Sequence, residues 1–345
     1  MHHAQHDAAN LAVRHALPFQ RVDAFPWTAG VDVFFVISGF IMVFASRSLF
    51  AIPGARTAFL SRRLARIVPL YWAVTTLYLL IAFMAPTVLN SEVLEVWAVV
   101  ASYLFIPFAR SDGVVQPLYS LGWTLNYEMY FYVLFSVAVV WPAQRAITGL
   151  MLTMIGLVAL GWLVPLPQPL AFWTAPIILE FVFGMAIGLL CLHGVVLGRG
   201  VRTALAVSGI ALLCLDFTRP GGWLILPGAF AHGLPAAALV AAAALRPEKR
   251  SGDGPGGRWA VSIGDASYAL YLLHPFVIRA GSEILSRTGL APAVGPWGFV
   301  LLALAASTAV AVLAFRWFEQ PLTDRLRKWL EIRRGSAHVT LTTRA

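Results

Sequence analysis

The sequence predicts an all-α protein, a polytopic transmembrane helix bundle, and three observations carry that prediction. Nine long apolar stretches run through the 345 residues, and 59% of the chain is hydrophobic. Only 12% is charged, about half the share usual in soluble domains. The apolar runs are unbroken rather than alternating, which excludes a β-barrel. A net charge of +9 would suggest nucleic acid in a soluble chain; here it reads as the basic bias of cytoplasmic loops. Cys191 and Cys214, the only cysteines, sit in apolar runs, so neither a disulfide framework nor a zinc-ribbon spacing is present.

The spans are, in order, 30–46, 67–86, 119–141, 146–164, 173–195, 201–217, 223–245, 261–281 and 297–316, each near the roughly 20 residues that about 30 Å of hydrocarbon requires. A tenth apolar stretch, 93–108, is short and carries Pro107, so it lies at the interface or re-enters. Loop charge separates the alternatives. If 93–108 does not cross, one side collects 19 of the 25 Lys and Arg residues; if it crosses, the division weakens to 16 against 9. The positive-inside rule selects the first arrangement. Arg62, Arg63, Arg66 and the C-terminus are then cytoplasmic, and the segment 1–29 lies outside. Residues 1–330 form a single membrane-embedded domain, and 331–345 a basic, disordered cytoplasmic tail.

Few ionisable groups fall inside the spans, chiefly Asp32, Glu128, Glu180, Asp265 and His274. A charge near the bilayer centre costs roughly 2.5–3.5 kcal/mol on insertion scales, so each is a candidate for function, with a helix-to-helix hydrogen bond as the plain alternative. Glu128 lies roughly 13 Å below the outer face by helical rise, and His274 reaches the outer half. Pro275 frees a backbone carbonyl one turn earlier, which His274 alone would be able to cap. Glu180 and Asp265 have no assigned role. Arg62 and Arg66 share one helical face at the cytoplasmic edge, where guanidinium forks suit phosphate and where positive-inside anchoring or anionic lipid is the alternative. Trp123 and Tyr132 near Glu128 are suited to line a sugar site or to form part of an aromatic belt. His2, His3 and His6 lack the spacing and the carboxylate of a metal site, so no metal is expected. No P-loop is present.

Five motifs stand in the order of a known family. Gly30-Val-Asp-Val-Phe-Phe-Val-Ile-Ser-Gly-Phe40 and the arginine-rich Phe59-Leu-Ser-Arg-Arg-Leu-Ala-Arg-Ile-Val-Pro-Leu-Tyr-Trp72 are followed by Gly122-Trp-Thr-Leu-Asn-Tyr-Glu128 with Tyr130-Phe-Tyr132. Ser267-Tyr-Ala-Leu-Tyr-Leu-Leu-His274 and Phe318-Glu-Gln-Pro321 close the series. Together they resemble the acyltransferase-three family of integral membrane acyltransferases, and their wording is most similar to its exopolysaccharide acetyltransferase branch.

The resemblance implies a fold of ten spans whose first helix carries an Arg and, about ten residues on, the catalytic His. His3, or His2, resembles that His, and no Arg precedes it here. A first helix is therefore expected upstream, as the odd span count also suggests, and this 345-residue form is expected to be inactive or nearly so. The implied reaction is O-acylation in the bacterial inner membrane. Acetyl-CoA, or another acyl-CoA, arrives from the cytoplasm, and the acceptor is a hydroxyl of an exported or envelope polysaccharide or its lipid-linked oligosaccharide precursor. No cofactor is permanently bound. By resemblance His3 or His2 is the base, with Asp32 holding its tautomer, and Glu128 and His274 complete the catalytic set. Arg62, Arg63, Arg66 and Tyr71 serve the donor; Trp123, Tyr132 and Ser38 serve the acceptor. A transporter or flippase of a lipid-linked glycan, with Glu128 and His274 lining its path, is the alternative. The lack of an internal repeat speaks against it.

Overall fold

The computed structural model describes residues 1–23, 25–84, 95–110, 113–215, 218, 226–247 and 255–330. The tail 331–345 lies outside the described residues. Twelve helices of eight or more residues concern the site. They are α1 (His2–Arg14), α2 (Gly30–Ala45), α3 (Ala55–Met84), α4 (Val96–Tyr103), α5 (Trp123–Ala138) and α6 (Ala143–Leu163) in the first half. After them come α7 (Leu179–Leu192), α8 (Arg199–Leu215), α9 (Gly233–Ala244), α10 (Pro255–Asp265), α11 (Ser267–Thr288) and α12 (Ala291–Ala314). A π-helical turn, Phe315–Glu319, continues α12 into the stretch that ends at Leu330.

Five of these helical segments are long and apolar enough to cross a membrane, and α10 with α11, bent by 72°, make a sixth if counted as one span. The chain is a multi-pass, all-helical membrane protein. Large apolar side chains stand on the outside of the helices, among them Leu80 and Phe83 on α3, Leu152 and Trp162 on α6, and Leu301 on α12. Such a surface suits lipid. Spans 119–141 and 201–217 are represented by α5 and α8, of 16 and 17 residues, and the apolar stretch Gly228–Ala244 stands for 223–245. The helix in 93–108 is only the eight residues of α4, about 12 Å of rise and too short to cross.

Contacts group the chain into two compact units. The first comprises Met1–Asp23, Leu64–Thr76 of α3, and the chain from Lys249 onward. Its core packs Ala4, Ala8 and Leu11 of α1 against Ile278 of α11 and Phe299, Val300 and Ala303 of α12. The sequence shows α1 only as a polar opening, yet Ala4, Ala8, Leu11 and Ala12 recur at helical spacing and are buried together with Gln5. Pro69 in α3 frees the carbonyl of Ala65, and the Thr323 hydroxyl donates to it at 3.3 Å. Nearby, Tyr268 donates to the Ile67 carbonyl at 2.7 Å.

The second unit comprises residues 24–63 and 77–248. Its centre is the crossing of α2 and α7, made close by glycine. A Cβ on Gly39 would strike the Phe181 carbonyl, and one on Gly184 would strike the Val36 carbonyl. Without side chains there, the two backbones meet directly, as small residues allow in membrane bundles. Residue 36 neighbours 184 and residue 43 neighbours 188, so the two helices run parallel.

Candidate active site

In the first unit, α1 lies along α11 with both chains running the same way, held by a ladder of polar contacts. His3 and His274 face each other with ring centroids 5.2 Å apart. One level on, Asp7 and Arg279 approach to 3.7 Å; then Arg14 bonds Glu283 at 2.9 Å, and His15 Nε2 lies 3.2 Å from the Ser286 hydroxyl. The Gln5 side chain accepts the Val22 N–H at 2.7 Å, tying the segment after α1 back onto it.

His274 Nδ1 is 2.9 Å from the Leu270 carbonyl and so carries a proton that it donates there. This caps the irregularity around Pro275 and fixes the tautomer, leaving Nε2 as the acceptor. His3 keeps an exposed edge. Burial of the rest, with His274, His2 and the N-terminal ammonium nearby, lowers its pKa to about 4. His2, which meets His3 edge-on at 5.2 Å, is also lowered, first by burial. Both imidazoles are therefore neutral throughout the physiological range.

The same unit holds Arg66 and Tyr71. Arg66 lies near the buried Glu319, and Tyr71 is fully buried. Arg62 and Arg63 belong to the second unit. Arg62 is exposed, and the Arg63 guanidinium lies over the Phe59 ring, 5.6 Å from its centroid.

The second unit holds two carboxyl clusters. Glu128 is buried on α5, where its Oε1 accepts from the Ser38 hydroxyl of α2 at 3.2 Å and from the hydroxyl of Tyr132, one turn along its own helix. Phe59 packs edge-on against Tyr132. Ser38 and Tyr132 thus both hold the Glu128 carboxyl. Trp123 stands edge-on to Phe35 and Tyr127, which together with Phe181 form an aromatic wall. In the second cluster, Asp32 and Glu180 stand in the first turns of the parallel α2 and α7, which brings their carboxyls against each other. His232 Nδ1 is 4.0 Å from Asp32 Oδ2. Glu180 is fully buried, and neither of its oxygens has a hydrogen bond of normal geometry.

Glu180 and His232 are not distinguishable as partners of Asp32 from sequence, because nothing in an apolar span tells which neighbour it will meet. Asn126 also gives no signal there. It is buried, with neither amide atom bonded, two residues before Glu128, and so has hydrogen-bonding capacity to offer a ligand. Among the described residues, no group of three His, Cys, Asp or Glu is arranged to hold a metal ion.

Residues 3–316 match a family described as an acyltransferase domain. The exopolysaccharide production protein ExoZ of Rhizobium meliloti is 34% identical over 309 residues, which cover 87% of this chain and 90% of that protein. The acyltransferase MdmB of Streptomyces mycarofaciens is 27% identical over 281 residues, covering 74% and 69%. No solved structure matches the chain.

Proposed function

We propose, for a chain that belongs to the acyltransferase-three family and is an acyltransferase, that it O-acetylates an exported or envelope polysaccharide, or its lipid-linked precursor, with acetyl-CoA as donor. The name of the Rhizobium relative supports the class of acceptor. The observation that carries the chemistry is the placement of two imidazoles side by side across α1 and α11, with ring centroids 5.2 Å apart and planes inclined by 51°.

In this reading His3 takes the proton of the acceptor hydroxyl. The alkoxide attacks the thioester carbonyl, a carbon–oxygen bond forms and the carbon–sulfur bond breaks. The proton passes from His3 to the departing CoA thiolate. His274, its own Nδ1 proton engaged, offers Nε2 toward the developing imidazolium and limits its rotation. Within the second unit, Asp32 and Glu128 are assigned to catalysis, and Ser38, Trp123 and Tyr132 to the acceptor. Arg62, Arg63, Arg66 and Tyr71 meet the donor.

Nine crossings complete the reading, with 3₁₀ turns lengthening the shorter helices, and with the basic loops and C-terminus in the cytoplasm of an inner membrane. Cysteines placed at Ser251 and at the exposed Thr288 test the sidedness: an external thiol reagent should label 288 and spare 251, and equal labelling refutes the orientation. The function itself is tested by the acetyl content of the polysaccharide in a deletion strain, with the gene or its His3→Ala form restored. Content that deletion leaves unchanged refutes it.

A further inference from the structure

In the same unit as the imidazole pair, a recess of about 260 Å³ is lined by Arg258, Trp259, Ser262 and Arg316. Arg258 and Ser262 are four residues apart on α10 and share a face. Arg316 comes from the π-helical turn, a form that recurs at functional sites because it widens one turn of a helix. On α1 and α11 the arginines are neutralised: Arg14 and Arg287 by Glu283, Arg279 by Asp7 and Glu283. Arg66 has Glu319 close by. Among the described residues, Arg258 and Arg316 have no carboxylate partner. Two guanidiniums facing one recess repel each other until an anion enters. Trp259, 66% exposed, adds a flat aromatic face beside them.

We propose that this recess is a phosphate-ester site and that it holds the phosphorylated adenosine end of the CoA donor. The guanidiniums take phosphate oxygens in forked pairs, the Ser262 hydroxyl donates to another oxygen, and the Trp259 ring lies against the base. The inference rests on the donor assigned above and names a site for its far end. The reach is suitable. Ser262 precedes His274 by twelve residues, at most roughly 18 Å by helical rise, a length an extended pantetheine arm covers. An anionic lipid headgroup presents the same phosphate chemistry to the same side chains, and Trp with Arg is also common at membrane interfaces.

The test uses the full chain in nanodiscs, either neutral or containing phosphatidylglycerol, titrated with CoA and with dephospho-CoA. The parent should bind CoA more tightly than dephospho-CoA in both lipids. Arg258→Ala/Arg316→Ala should weaken CoA by about tenfold or more, the scale of losing charged hydrogen bonds, and change dephospho-CoA less. Trp259→Leu should weaken both nucleotides alike, and Arg258→Lys should restore part of the loss. Unfolding temperatures equal to the parent's exclude misfolding as the cause. If the parent binds CoA and the double variant binds it equally well, the recess is overturned while the donor assignment stands. If phosphatidylglycerol displaces CoA from the parent, and the double variant loses only lipid retention, the site belongs to lipid and the proposal fails. A parent that binds no CoA in either lipid overturns both readings together.

Discussion

Replacing Gly184 by alanine tests the packing on which the second unit depends. The added Cβ would fall on the Val36 carbonyl oxygen, 2.7 Å from the Phe40 nitrogen and 2.9 Å from the Gly39 Cα. All three are backbone atoms, so no side chain can swing aside. Restoring ordinary contact requires α2 and α7 to part by roughly 1 Å. Overpacking of this kind costs about 1–3 kcal/mol, and a clash with backbone belongs at the upper end. The unfolding temperature in detergent should fall by about 5 °C, at about 2 °C per kcal/mol for a chain of this size. Ser38 adjoins Gly39 and bonds Glu128 at 3.2 Å, so the same displacement disturbs the carboxyl cluster and acyl transfer should fall with stability. Gly156→Ala is the control. Nothing lies within 4 Å of its Cβ position, and alanine there should be neutral or stabilising by up to about 1 kcal/mol. A Gly184→Ala protein as stable and active as the parent would refute the close crossing of α2 and α7.

The pH dependence of transfer should report His3. Its folded pKa, lowered to about 4 from the ordinary 6.5, keeps the imidazole neutral as pH falls through 6. Activity in proteoliposomes should therefore hold through pH 6 and decline below pH 5; an acid limb centred at or above 6.5 would remove His3 as base. The same depression works against stability in acid, because the folded state takes up this proton less readily than the unfolded one, so stability falls as pH drops from 6.5 toward 4. Tyr132→Phe removes one of the hydroxyls that hold Glu128, and should cost about 1 kcal/mol of stability and a several-fold loss of transfer, read from unfolding and acetyl content. Full activity in that variant would separate Tyr132 from the site.

Much of this is legible in the sequence, and the parts that are not fail for physical reasons. Apolar runs locate the long helices, since about 20 apolar residues have few other uses. Their ends are less clear. Span 67–86 begins as helix at Ala55, because Arg56, Arg62, Arg63 and Arg66 are good helix formers although none is apolar. Span 261–281 begins earlier and breaks at Ala266 into α10 and α11, with Gly264 two residues ahead as a weak signal inside an apolar run. Helix α1 escapes detection because its buried stripe is mostly alanine among histidines. The motif residues Ser38 and Glu128 prove to be bonded to each other. Asp32 is expected beside His3; its observed neighbours in its own unit are Glu180 and His232, and His3 is faced by His274.

The π-helical turn at Phe315–Glu319 bears on how this protein can vary in length. Removing one residue from an α-helix swings everything beyond it by about 100° and carries every contact to the wrong side. A π turn already winds one residue more than an α turn. A deletion within 315–319 would be absorbed by the return to α-helical winding, and the segment beyond would keep its face, with Thr323 still meeting the Ala65 carbonyl. The long C-terminal helix thus has one place where a codon can be lost without twisting the residues downstream. Such a loss removes something local: the widened turn from which Arg316 reaches the recess.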